Sequence, residues 1–268
     1  MGSIRVKNKS VDMSSSEYVG ISVVMTTYNG SRYLRPQIDS IISQLGTEDE
    51  LVISDDRSSD KTLDILKEYA SAQVRILQTP GNLGPIRNFE YALAQARGSV
   101  IVLSDQDDVW LEGRLTRVRD HFSGNTMPYD LLVLDSNIVD GDLKPTLGSL
   151  FDLLSAGPGL IKNILRNTYV GCHMAFRRQL LDVAMPFPRA IPMHDVWLGL
   201  VSESLGPVTF EPGATMLFRR SGENYTQSRY SMIQRLTWRI GLITSLVQLR
   251  LSAQFRERSD HATTGKAT

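Results

Sequence analysis

Strand-like and helix-like segments alternate four times between Gly20 and Phe122, and no other feature of the chain narrows its fold so far. Gly20–Thr26, Glu50–Ser54, Val74–Gln78 and Ser99–Ser104 are short runs rich in Val, Ile and Leu. Each is followed by a longer stretch: Tyr33–Leu45, Ser59–Ala70, Ile86–Ala96 and Trp110–Phe122. In the first of these, Leu34, Ile38, Ile41, Ile42 and Leu45 fall near helical spacing. Four such units predict an α/β fold with a mostly parallel central sheet flanked by helices and right-handed crossovers. The second half is less regular. Asp130–Val139, Tyr169–Arg177, Val208–Glu211 and Thr215–Phe218 read as strands, Asp195–Ser204 as a short helix, and Ser155–Asn167 as a connection that contains one.

Composition excludes several other classes. The 268 residues suffice for one large core or two modest ones, and 41% hydrophobic content is too high for a disordered chain. Cys172 is the single cysteine, so neither an internal disulfide nor a CxxC metal or redox site can form. Lys plus Arg and Asp plus Glu both total 29, a balance that argues against nucleic acid as the partner. Met1–Tyr18 lacks the apolar core of a signal peptide. No apolar run approaches the ~18 residues of a membrane span. A reduced, cytoplasmic globular protein is expected.

In an open α/β sheet, ligands bind outside the carboxyl ends of the strands. The residues at those ends are Thr27-Tyr28-Asn29-Gly30, Asp55-Asp56, Asn82-Leu83-Gly84 with Arg87-Asn88, and Asp105-Gln106-Asp107-Asp108. Five carboxylates thus converge on one edge, where they repel unless a cation or hydrogen bonds offset them. Mg²⁺ is typically shared between one or two carboxylates and substrate phosphates. Asp105, Asp107 and Asp108 are therefore candidate ligands for Mg²⁺ or Mn²⁺ on a diphosphate. Taken singly, each Asp or Asn is equally suited to capping a helix or closing a turn. The phosphate loops G-x-G-x-x-G and G-x-x-x-x-G-K-[ST] are absent, so phosphates are expected to be held through a metal. Asp55 or Asp56 is placed to accept the imino hydrogen of a pyrimidine or a ribose hydroxyl.

Four linked motifs, in order, resemble the inverting GT-A glycosyltransferases of family 2. They are Thr26, Tyr28 and Asn29; Asp55-Asp56-Arg57-Ser58-Ser59-Asp60-Lys61-Thr62; Asn82, Gly84, Arg87 and Asn88; and Asp105-Gln106-Asp107-Asp108. The resemblance covers roughly residues 20–225 and implies a Rossmann-like GT-A sheet. It also implies that Asp55 and Asp56 contact nucleobase and ribose, with Thr27, Tyr28, Asn29, Asn82, Gly84, Arg87, Asn88, Asp105 and Gln106 lining the donor site. Asp107 would be the direct metal ligand, helped by Asp105 and Asp108. His194-Asp195-Val196-Trp197 matches the family's general-base element, which makes Asp195 the base; the residue would also suit a helix N-cap. The forms S-D-Q-D-D-V-W and M-H-D-x-W resemble the bacterial rhamnosyltransferase subgroup. The donor implied is a dTDP- or UDP-linked sugar, dTDP-rhamnose first. The acceptor implied is a saccharide or lipid-linked sugar in surface polysaccharide synthesis. A sugar nucleotidyltransferase and a non-catalytic carbohydrate-binding protein on a degenerate GT-A fold are the competing readings.

One position departs from the subgroup. Ser221 stands where a metal-approaching His is usual, in Phe218-Arg219-Arg220-Ser221-Gly222-Glu223-Asn224, so either water completes the metal shell or Arg219 or Arg220 neutralises phosphate. His194 either orients Asp195, binds acceptor or is structural. Cys172 reads as core, and Trp110 and Trp197 as either sugar-stacking walls or core. From Arg219 to Arg258 there are eight Arg and no Lys against Glu223 and Glu257, a local charge of +6. That basic, apolar tail is compatible with an anionic membrane, the catalytic core or a homodimer partner. The expected organisation is a flexible segment over 1–18, a catalytic unit over 19–225 (donor half 19–108, acceptor half 109–225), an amphipathic helical tail over 226–258 and a flexible end over 259–268.

Overall fold

The computed structural model describes residues 20–124, 126–220 and 231–264, with side chains of the last helix described as far as residue 251. The first half alternates as predicted: β1 (Ile21–Thr27), α1 (Leu34–Ile42), β2 (Glu50–Asp55), α2 (Thr62–Tyr69), β3 (Val74–Gln78), α3 (Gly84–Leu93) and β4 (Val100–Ser104). The chain continues through β5 (Val109–Trp110), α4 (Arg114–Phe122), β6 (Leu131–Leu134), β7 (Asn137–Val139), β8 (Pro145–Ser149), α5 (Leu150–Leu154) and α6 (Leu160–Leu165). A 3₁₀ turn at Gly171–His173 leads into β9 (Met174–Arg177), α7 (Leu180–Ala184), α8 (His194–Leu205), β10 (Val208–Glu211), β11 (Met216–Arg219) and α9 (Met232–Thr264).

Seven strands form the main sheet in the order β10-β6-β9-β4-β1-β2-β3. All neighbours are parallel except β9, which runs against both β4 and β6. Side chains of a strand alternate between faces, and here both faces are apolar. Val24, Ile101, Leu103, Leu131, Val133, Met174 and Phe176 face the core under α3 and α8. Val23, Met25, Val100, Val102, Leu132, Leu134 and Ala175 face the core under α1 and α4. This is the α/β architecture that the alternation predicts. A second sheet, β5-β11-β7-β8, stands beside the carboxyl edge of the first.

The second half departs from the sequence reading in ways that have local causes. Trp110 begins no helix: Val109–Trp110 pairs antiparallel with β11, and α4 starts only after Gly113, whose φ of 84° is left-handed. The strand read over Asp130–Val139 breaks after Leu134. There Asp135 accepts hydrogen bonds from Ser136 N (2.8 Å), Ser149 Oγ (2.6 Å) and Phe151 N (3.1 Å), and the chain crosses to the small sheet. Tyr169–Arg177 is strand only from Met174. β8, α5 and α7 are too short or too polar to carry a periodic signal. The tail helix begins at Met232 and continues to Thr264, beyond the expected end at 258; after Gly241 no Gly or Pro interrupts it before Gly265. Residues 1–19, 125, 221–230 and 265–268 lie outside the described residues.

Candidate active site

The loop after β1 is tied down by the segment after β2. Asn29, at a φ of 49°, accepts from Ser59 N (2.8 Å) and donates its own N–H to Ser58 Oγ (2.9 Å). Gly30 N donates to Thr62 Oγ1 (2.9 Å), and Ser31 N to Asp60 Oδ2 (3.1 Å). The two linked motifs are thus physically cross-linked. Asp55 is completely buried; Thr27 Oγ1 (3.1 Å), Ser58 N (3.0 Å) and Ser58 Oγ (2.5 Å) all donate to it. Asp56 receives Thr79 Oγ1 (3.0 Å), Leu83 N (2.7 Å) and Gly84 N (2.8 Å), so it anchors the entry to α3. Asn82 Nδ2 reaches the Asp56 carbonyl at 3.4 Å. Asn88 is buried and donates to the Ser54 carbonyl (3.1 Å), while Arg87 holds Glu90 (2.5 Å) and the Phe187 carbonyl (3.0 Å). Tyr28 stays half-exposed at the rim.

Gln106 bridges the ends of β4 and β1. Its Oε1 accepts from Tyr28 N (2.9 Å) and its Nε2 donates to the Tyr28 carbonyl (3.1 Å). It lies so tightly over Gly30 that a Cβ there would stand 2.1 Å from Oε1. On either side of it sit the acidic residues. Ligand atoms of Asp105, Asp108 and Cys172 lie within 4.8 Å of one another, and Asp107 is outside that group. Burial first, then neighbouring carboxylates, push Asp107 up to about 7 and Asp108 well above the usual range. Burial, with the Asp195 charge adding to it, pushes Asp105 up to about 6. Asp108 Oδ1 accepts from Arg219 N (3.0 Å), but its Oδ2 is buried with no hydrogen-bond partner among the described residues. An orphaned carboxylate oxygen among charges that destabilise one another fits a divalent cation. Asp105, Asp107 and Asp108 offer the oxygens that Mg²⁺ or Mn²⁺ prefers. The buried Cys172 thiol is pushed well up by burial and by Asp105 and Asp108, so it stays protonated and is no match for a hard ion.

Sequence reasoning overlooked Arg114. Its guanidinium is fully buried beneath this cluster, donates to Thr215 Oγ1 (2.5 Å) and the Cys172 carbonyl (2.7 Å), and stacks on Trp110. Arg219 is buried too. It donates to the Asp107 carbonyl (2.7 Å) and to the Gly141 carbonyl, and covers the Tyr33 ring. It therefore braces the acidic loop rather than projecting as a free cation. Arg220 is exposed, and Ser221 lies outside the described residues.

Asp195 comes to the same edge from α8. Because β9 is reversed, the turn that precedes it starts at the carboxyl ends of β4 and β6. Gly171 N there donates to Asp195 Oδ2 at 3.0 Å, and Val196 N donates to Oδ1 at 2.6 Å. Asp195 is in the first turn of α8 and is not its N-cap, which is Met193. Burial pushes its carboxyl up to about 6. His194 stacks on Phe89 with ring centroids 3.9 Å apart, and burial lowers it to about 3, so it is neutral at physiological pH. Trp197 donates to the Ala184 carbonyl (2.8 Å) inside the core, and Trp110 is buried as well, so neither is a wall for a sugar.

Known proteins match this chain. The model of glycosyl transferase family 2 matches residues 22–183. An uncharacterized glycosyltransferase of Nostoc sp. is 31% identical over 179 residues, which are 62% of this chain and 53% of that protein. The chain thus spans about half the length of that relative. A dTDP-rhamnosyl transferase of Shigella flexneri is 29% identical over 235 residues, 82% of this chain and 78% of that one. The solved structure of S. aureus TarS 1–349 in complex with UDP-GlcNAc superposes with a TM-score of 0.64 at 21% identity, covering 79% of this chain and 62% of that one. Among the described residues, no helix is long and apolar enough to cross a membrane.

Proposed function

The chain belongs to glycosyl transferase family 2, and on that premise we propose that it moves a sugar from a nucleotide-diphospho-sugar to an acceptor hydroxyl with inversion, Asp195 acting as general base. One observation carries the reading: Asp195 accepts from the Gly171 N–H, and the thiol of the next residue, Cys172, lies within 4.8 Å of the Asp105 and Asp108 carboxylates, so a candidate base stands beside the acidic edge. Asp195 takes the proton of the acceptor hydroxyl. The hydroxyl oxygen forms the new bond to the anomeric carbon while the bond to the diphosphate oxygen breaks, and the electron pair leaves with the diphosphate. A single displacement inverts the centre and needs only one flanking carboxylate, unlike the pair used by hydrolases. Asp105, Asp107 and Asp108 would hold a divalent cation, which when bound would supply positive charge to offset the diphosphate. Asp55 and Asp56 shape the nucleoside end by fixing the loops after β1 and β3.

The donor favoured is dTDP-rhamnose. The S-D-Q-D-D-V-W and M-H-D-x-W motifs support it, as does the Shigella flexneri relative. A UDP-sugar is the second reading, supported by the nucleotide named for the TarS complex. The acceptor is a saccharide or a lipid-linked sugar of a surface polysaccharide, bound by the half after Asp108. Titration calorimetry with dTDP and UDP, each with Mg²⁺, Mn²⁺ or a chelator, tests the donor site. The expected result is binding of one nucleotide only with metal, lost in Asp107→Ala. Metal-independent binding that survives the substitution would overturn the assignment of Asp107.

A further inference from the structure

Helix α9 has two unlike faces. On one, Leu242 and Leu246 are buried in the core, and Gly241 sits so close to Ala190 that a Cβ would stand 2.7 Å from its carbonyl oxygen. Arg239 and Arg250 fasten the helix to the carbonyls of Leu165 in α6 (2.6 Å) and Ser204 in α8 (2.8 Å). The orientation of α9 is thereby fixed, and its other face is not covered by any described part of the chain. That face carries Met232, Leu236, Ile240, Ile243, Val247 and Leu251, each between 46% and 86% exposed. At 3.6 residues per turn they fall within an arc of roughly 100°. Ile161 and Leu165 of the adjoining α6 are exposed as well. An outward apolar row this long is not ordinary surface.

The charge around the row selects the occupant. No Asp or Glu occurs between Glu223 and Glu257, whereas Arg235, Arg239 and Arg250 lie along the described helix, Lys162 on α6 and Arg166 directly after it. A second copy docked through the same face would bring arginines against arginines. An anionic phospholipid surface offers hydrocarbon for the row and phosphate for its basic border. We propose that α6 and α9 form a seat on which the protein lies against an anionic bilayer, with α9 in the plane of the headgroups. A 390 Å³ cleft lined by Arg189, Pro192, Met193 and Trp238 lies between α9 and the segment that precedes α8. The seat itself does not depend on which sugar is transferred.

Flotation of the full chain with vesicles tests the proposal without any reference to transfer. The wild type is expected to float with phosphatidylcholine vesicles that contain phosphatidylglycerol, to stay behind with phosphatidylcholine alone, and to be released by salt. The triple substitution Leu236→Glu, Ile240→Glu and Val247→Glu should lower binding by at least about tenfold, since it replaces buried hydrocarbon with charge on the lipid side. Leu147→Glu, on the exposed β8, should leave flotation unchanged. Circular dichroism and thermal melting check that each variant is folded, and Arg235→Gln with Arg166→Gln, both exposed and neither an anchor of α9, gives an independent, milder loss on anionic vesicles. Equal flotation of wild type and triple variant, or equal flotation on neutral and anionic vesicles, would overturn the proposal. So would a wild-type dimer in light scattering that ignores vesicles and becomes monomeric in the triple variant, an outcome that gives the face to a second copy.

Discussion

Replacing Asp195 with asparagine should stabilise the protein and stop transfer. Burial raises the Asp195 carboxyl from 3.8 to about 6, so the folded chain holds that proton more tightly than the unfolded chain does. Below about pH 4 both states are protonated and the group makes no difference to stability. Between about pH 4 and 6 the unfolded state releases its proton first, and stability falls as pH rises. Above about pH 6 the full cost is present, and a shift of about two units corresponds to about 3 kcal/mol. Asparagine has no charge to desolvate, but it has one oxygen for the two N–H donors of Gly171 and Val196. The lost hydrogen bond costs about 1–2 kcal/mol. The net gain is then about 1–2 kcal/mol near neutral pH, a rise in Tm of roughly 2–6 °C. Near pH 4 only the lost bond remains, so the order of the two proteins should reverse there. Scanning calorimetry at both pH values reads this directly. Meanwhile transfer should drop by a factor on the order of 10²–10⁴ with nucleotide binding intact. A Tm difference of the same sign and size at both pH values would refute the burial argument. Transfer at the normal rate would remove Asp195 as the base.

Three further outcomes can be measured. In the wild type, kcat should rise with pH through about 6 as Asp195 ionises; a rate already at its plateau well below that value would contradict the shift. Gly30→Ala forces a Cβ to within 2.1 Å of Gln106 Oε1 and so breaks the bridge from β4 to β1. The donor KM should rise by about tenfold while kcat falls less, since positioning is what is lost; unchanged kinetics would show that the bridge is dispensable. Arg114→Met removes two charge-assisted hydrogen bonds under the acidic cluster, and urea unfolding should show a loss of about 3 kcal/mol. A loss below about 1 kcal/mol would mean that the buried charge is offset by its own desolvation.

The fold from β1 to β4 was legible because its causes are local. Val- and Ile-rich strands, amphipathic helices, and Asn29, Ser58, Asp60 and Thr62 all act through neighbours within about one strand–helix unit. Arg114 was not legible: its helix reads as polar, and what buries it is Thr215, 101 residues away. The roles of Gln106 and Gly171 were hidden for the same reason, since each is defined by a partner on a distant strand or helix. Asp135 shows the opposite case, a residue that reads as interior to a strand and instead ends it, because three donors from the β8–α5 corner and its own neighbour converge on it. The second sheet escaped notice because its strands are short and, in β8, exposed along their length.

The reversed strand β9 has a consequence for how such a protein can diversify. Chain entering β9 arrives at the rim where β4 and β1 deliver the Asp105–Asp108 and Thr27–Gly30 loops, while the registers of β1 to β4 are fixed without it. The connection from α6 to Gly171 thus lies outside the strand registers of β1 to β4. Exchange of that one connection would alter the chain beside Asp195 without touching β1 to β4, and the Gly171 N–H is the joint that must be kept for Asp195 to stay in place.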